Sequence, residues 1–212
     1  MNPNGGMSMR IIDISMEIHA DMVVYPGDPA PRFEQLSTLA EGEMNVSLLT
    51  MGSHTGTHVD AQLHISDQGR SVADLPLDSL YGPCEVLDLT GAGRVIHAKH
   101  LQGQDIDYGS IVLLKTRNSL EQYESFREDY TYLSEDAAQY LVDKGLRTLG
   151  IDYLSVEAQE GSGRVHELLV QRMTVFESLY LKDVQPGRYI FCGLPLKLRT
   201  DGAPVRAILI EA

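Results

Sequence analysis

LSEDAAQYLVDKGLRTLGIDYL, residues 133–154, is the stretch that decides the fold class. Ser134 can cap a helix, Glu135 and Asp136 suit the positive end of its dipole, and Gly145 supplies the stop. The helix then feeds a strand, RTLGIDYL. Working outward, apolar and β-branched runs occur at RIIDISMEI (10–18), VSLLTMG (46–52), CEVLDLT (84–90), SIVLLKT (110–116), RTLGIDYLSV (147–156), GRYIFCG (187–193) and APVRAILIEA (203–212), and each reads as a strand. Shorter helical pieces are expected in HAKHLQG (97–103) and HELLVQR (166–172), while DMVVYPGDPAPR (21–32) carries three prolines and a glycine and must be a shaped loop. More strand than helix, with helices between strands, predicts an α/β fold: a single domain with a mixed β-sheet core flanked by helices. No repeat or linker divides it. The expected organisation is a disordered lead over residues 1–9 and one domain over 10–212.

Composition narrows the function. At 212 residues with 43% apolar content the chain can bury an ordinary core. Its formal charge of −13 would repel phosphate backbones and anionic membrane surfaces, and no basic stripe offsets it, so neither nucleic acid nor a membrane is expected as a partner. No segment approaches the roughly 20 apolar residues of a membrane span, and the start lacks the apolar core of a signal peptide. Cys84 and Cys192 stand far apart in strand-like contexts, which fits buried, reduced thiols and a cytoplasmic protein.

Chemistry concentrates in HTGTHVDAQLH, where His54, His58, Asp60 and His64 fall within eleven residues. His19, His97 and His100 read as ordinary surface or hydrogen-bonded histidines. Imidazole and carboxylate are the donors that zinc, manganese and iron accept, and a catalytic site takes three of them while leaving a position for water. A flat strand would put His54 and His58 on one face but about 13 Å apart, too far for one ion. Gly56 permits the sharp bend that brings them together, so the motif is expected on a bent passage at the sheet edge. His64 can be a fourth ligand, a general acid/base or structural. Since an ordinary imidazole titrates near neutrality, the acid/base role is favoured. Tyr25, in the YPGDP loop, can be an aromatic wall for a substrate or a packing residue. Arg117 reads as a solvated charge, and Ser119 and Ser155 lie outside any G-x-S-x-G elbow.

The run HTGTHVDAQLH resembles the HxGTHxDxPxH signature of the cyclase family, which includes bacterial kynurenine formamidases and isatin hydrolases. IIDISMEI with VYPGDP, SIVLLKTR, VHELLVQRMTVFESL and the closing GRYIFCGLPLKLRTDGAPVRAILIEA resemble further family segments, so the likeness covers nearly the whole chain. It implies a swivelling β/α/β fold and a metal-dependent hydrolase of an amide or lactam bond, of the arylformamidase kind found in tryptophan catabolism. It also implies two metal ions, Zn2+ or Mn2+, with His54 and His58 on the first, Asp60 shared, and His166 and Glu177 on the second. His64 matches the histidine assigned to catalysis, and a homodimer or homotetramer is implied. A metal-dependent cyclase or dehydratase, and a metal-containing ligand-binding protein without turnover, are the alternatives. Two positions depart from the pattern: Gln62 replaces a proline and Ile65 an aromatic residue. Gln62 is expected to add a polar side chain near the pocket and so to bear on substrate choice.

Overall fold

The computed structural model describes residues 9–42, 44–121 and 124–211. All but the last residue of the expected disordered lead, residues 1–8, lie outside them. The strands are β1 (Ile11–Asp13), β2 (Arg32–Ser37), β3 (Val46–Thr50), β4 (His58–Asp60), β5 (Tyr81–Asp88), β6 (Val95–Ile96), β7 (Ile111–Lys115), β8 (Tyr132–Leu133), β9 (Thr148–Ile151), β10 (Thr174–Glu177), β11 (Gly187–Pro195) and β12 (Gly202–Ile210). Three helices, α1 (Ala98–Leu101), α2 (Glu135–Asp143) and α3 (Arg164–Val170), lie between strands as expected.

Helix α2 starts where Ser134 Oγ accepts the Ala137 N–H, and it stops at Gly145, whose φ of +68° would strain any other residue. The main sheet runs β1-β12-β11-β5-β7-β9-β10-β4. It is mixed, since β5, β7, β9 and β10 are parallel and the other pairings antiparallel. It also closes. One edge of β12 is shared, its last residues pairing with β1 and its first, Gly202–Pro204, with β4, so the sheet becomes a barrel-like ring.

Alternation along the strands sorts side chains into two cores. Val59, Ile111, Leu113, Phe176, Phe191, Ala203 and Leu209 belong to one cluster, in which Phe176 and Phe191 meet edge-on at 5.0 Å. Truncating a ring so buried removes roughly 3–5 kcal/mol. Val112, Leu114, Leu149, Ile151 and Val175, on the opposite faces of the same strands, pack with Ala137, Leu141, Val165 and Leu169 of the helices. The residues of β4 and β10 that alternate with Val59 and Phe176 are His58, Asp60 and Glu177. They therefore face away from the first core, beneath α3.

Two expectations change. The histidine motif does not sit at a sheet edge: β4 is paired on both sides, with β10 and β12. The three-residue strand is too short to show a period, so its place in the ring is set by distant partners. In addition, β2 and β3 form a hairpin paired only with each other, nearly all of it exposed.

Candidate metal centre

The bend foreseen at Gly56 is present, with φ +64°, and a Cβ there would meet Ile18 Cγ1 at 3.0 Å. Thr57 fastens the chain after the bend. Its hydroxyl donates to the Ser178 carbonyl at 2.5 Å and accepts the Met16 N–H at 2.8 Å, tying the motif to the end of β10 and to the first strand's extension. β4 then runs beside β10 with Glu177 opposite His58, and α3 brings His166 over the pair.

Asp60 is the centre of the arrangement. His54 Nδ1 stands 2.9 Å and His58 Nε2 3.5 Å from its Oδ1. His58 Nε2 is also 3.3 Å from Glu177 Oε2, and His166 Nε2 is 3.2 Å from Glu177 Oε1. Asp60 and His58 are each only 1% exposed, yet His58 Nε2 and both oxygens of Asp60 make no directed hydrogen bond. His58 Nδ1 faces the Gly56 carbonyl at 2.8 Å, so it carries a proton and leaves Nε2 turned towards two carboxylates. Buried acceptors that approach closely without alignment need a cation among them. Two atoms each about 2.1 Å from one tetrahedral ion stand about 3.4 Å apart, and the four separations here bracket that value. His54, Asp60 and His64 form one group that could hold an ion, and His58, Asp60 and Glu177 another, so the donor set fits metal and Asp60 is common to both.

Without metal, protons take up that role. Burial works against charging His58 and His166, but Asp60 and Glu177 around the first and Glu157 and Glu177 around the second outweigh it and lift both to about 10. Burial likewise opposes ionising Asp60, and the flanking imidazoles of His54 and His58 hold it well below the usual carboxylate range. Both histidine values lie above the ordinary one of about 6.5. Their charge therefore stabilises the metal-free fold fully below about pH 6.5, and that stabilisation is lost as pH rises through about 10. A metal needs the neutral ring, so uptake at neutral pH must expel these protons. We expect roughly two protons released per chain on saturation at pH 7.5, measured by calorimetry in buffers of different ionisation enthalpy. Binding without proton release would contradict this electrostatic account.

A cavity of about 520 Å3 opens over the cluster, lined by Tyr25, His54, His64, Leu154, His166 and Glu177 among others. The His64 ring lies 4.1 Å from that of His54 and 5.8 Å from that of His166, centre to centre. Its side chain is 34% exposed, open enough to meet a substrate. Tyr25 lines the cavity and meets Phe126 edge-on at 5.4 Å. Arg117 instead pairs with Asp129, away from the cavity.

Glu157 and Asp201 escaped the sequence analysis. Glu157 Oε2 accepts the backbone N–H of His166 at 3.1 Å and stands 3.1 Å from its Nδ1, while Oε1 accepts the Gly163 N–H at 2.8 Å. One carboxylate thus caps α3 and orients the His166 ring. Both residues sit in loops with no periodicity to mark them.

The placing of Gln62 near the pocket is corrected. Its amide donates to the Gln171 carbonyl at 3.0 Å and accepts from Arg70 Nε at 3.1 Å, bracing the outside of the 3-10 turn Gln62–His64. Ile65 packs against the core under the helices. The turn that follows β4 sends both side chains away from the cavity. Ala61 before Gln62 is already extended (φ −112°, ψ 163°), as a proline requires of its predecessor, and Gln62 is the first residue of the turn, where proline fits. Gln62→Pro should therefore change stability by less than about 1 kcal/mol, two exposed hydrogen bonds lost against a stiffer chain. It should leave relative kcat/KM values across a substrate panel unchanged; a reordered panel would contradict the geometry.

The chain is similar to known proteins along nearly its whole length. Residues 12–158 match the profile of a family described as "Putative cyclase". A protein of Salinibacter ruber named kynurenine formamidase is 35% identical over 209 residues, covering 96% of this chain and 99% of its own. A solved structure described as a potential metal-dependent hydrolase with cyclase activity superposes with TM-score 0.87 at 37% identity, covering 97% of this chain and 99% of the other. Isatin hydrolase A from Labrenzia aggregata shares the fold, with TM-score 0.83 at 21% identity over 95% of this chain and 93% of its own.

Proposed function

We propose, from the premise that this chain belongs to the cyclase family, that it is a metal-dependent hydrolase that opens an amide or lactam bond in a small aromatic substrate, with an N-formyl arylamine such as N-formylkynurenine first and isatin second. The observation that carries the reading is Asp60: a buried carboxylate, both oxygens without a directed donor, flanked by the imidazoles of His54 and His58, of which His54 lines the open cavity.

In this reading His54, His58, Asp60, His166 and Glu177 would hold two divalent ions, zinc or manganese. When bound, such ions lower the pKa of water towards about 7 and polarise a carbonyl. The chain's own groups do the rest. Glu177 keeps its orientation by accepting the Val156 N–H at 2.7 Å, and Glu157 fixes the His166 ring. Tyr25 and Leu154 offer apolar surface to an aryl ring on one side of the cavity, and a volume of about 520 Å3 suits a ligand of that size. His64, beside the cluster and open to solvent, takes the proton of the attacking water and delivers it to the departing nitrogen. An anilide then falls into two products, whereas a lactam opens into one.

The wider setting belongs to the same proposal: a swivelling β/α/β domain over residues 10–212, at work in the cytoplasm as a homodimer or homotetramer. Both cysteines are free, and no described helix is long and apolar enough to cross a membrane. The β2–β3 hairpin supports self-association, because two isolated strands are marginal alone and this pair exposes Phe33, Leu36, Leu48 and Leu49.

Hydrolysis of N-formylkynurenine and of isatin, followed before and after chelation and after metal is restored, tests the activity. Turnover lost with the metal and regained with it is expected; turnover indifferent to chelation would overturn the reading.

A further inference from the structure

We infer that Asp201 is a positioning residue that presents Nδ1 of His54 to the metal site, an inference that rests on the metal-hydrolase reading above. Asp201 lies in the turn between β11 and β12, some 140 residues from the motif, yet it grips the motif at both ends. Its Oδ2 is 2.7 Å from His54 Nε2, its Oδ1 accepts from Ser53 Oγ at 3.1 Å, and its backbone carbonyl accepts the Ala61 N–H at 2.8 Å.

The consequences follow from the chemistry of the ring. The aligned hydrogen bond of 2.7 Å between the ring and the Asp201 carboxylate assigns a proton to Nε2, whereas the approach of Nδ1 to Asp60 Oδ1 is not aligned as a hydrogen bond. Nδ1 is then the nitrogen free to ligate, and it is the one facing Asp60 Oδ1 at 2.9 Å. Flipping the ring would put carbon against both carboxylates. The neighbouring glycine closes the other escape, because a Cβ on Gly202 would lie 2.7 Å from His54 Cε1 and 2.9 Å from Nε2. The ring occupies the space that this glycine leaves. Asp201 and Gly202 together thus set the position, tilt and ligating nitrogen of His54. A metal-facing histidine whose far nitrogen is held by a carboxylate is a more basic and better oriented ligand, and removing such a partner costs 10- to 100-fold in metal affinity. Asp201 Oδ2 also lies 3.7 Å from His64 Nδ1, beyond a hydrogen bond.

The test uses Asp201→Ala and Asp201→Asn in the full chain. Zinc affinity is read by competition with a chelator, and the coordination by the visible spectrum of cobalt-loaded protein. The melting temperature of metal-free protein serves as the control for folding. Asp201→Ala should weaken the looser of the bound zinc ions by about 10- to 100-fold and alter the cobalt spectrum. Asp201→Asn, which keeps an acceptor oxygen for Nε2–H, should recover most of the affinity. Unchanged affinity and spectrum in Asp201→Ala, or a lower melting temperature as its only effect, would overturn the positioning role and leave the metal site standing. A wild-type protein that binds neither metal would overturn the metal-hydrolase reading itself.

Discussion

Asp60→Asn is expected to reduce kcat/KM by at least about 10³-fold and to lower metal content. The side chain is fully buried between β10 and β12, and Asp60 is the only residue common to both candidate ion groups among the described residues. An amide keeps the shape but loses the charge and one acceptor. Several kcal/mol of charge stabilisation are at stake, and each 1.36 kcal/mol is a factor of ten in rate. Circular dichroism and the melting curve separate this effect from misfolding. Near-normal rates with full metal content would remove Asp60 from the centre of the site.

His64→Ala is expected to retain its metal and lose about 10²-fold or more in kcat, with little change in KM, as befits a proton carrier. Geometry leaves one competing role, because His64 also stands within ligand reach of His54 and Asp60. Metal analysis of the variant decides between them. Full metal with depressed kcat supports proton transfer, and loss of one ion makes His64 a ligand instead.

These two predictions bear on how far the site could be read from the chain. His54, His58, Asp60 and His64 were legible because one bend, marked by Gly56, gathers them within eleven residues. His166 and Glu177 were reached only through resemblance, since nothing around them distinguishes a ligand from an ordinary helix histidine or strand-end carboxylate. Asp201 was out of reach. Its role depends on β12 pairing with β4, a closure between residues 202–204 and 58–60 that no local pattern encodes. The same closure is why the motif was expected at an edge. β7 was plain from its β-branched run because both faces are buried, whereas β10 was hidden: its four residues, TVFE, follow α3 after only three residues and merge with its apolar run. Gln62 was misplaced for a smaller reason. Side-chain direction after a short strand is set by the turn that follows, and a 3-10 turn points it away from the cavity.

Elemental analysis of the purified full-length protein tests the central claim most directly, with His58→Ala analysed in parallel. The account predicts close to two divalent ions per chain in the wild type and a clear deficit in the variant. Wild-type protein that carries no bound metal, and takes none up from buffered zinc or manganese, would contradict it.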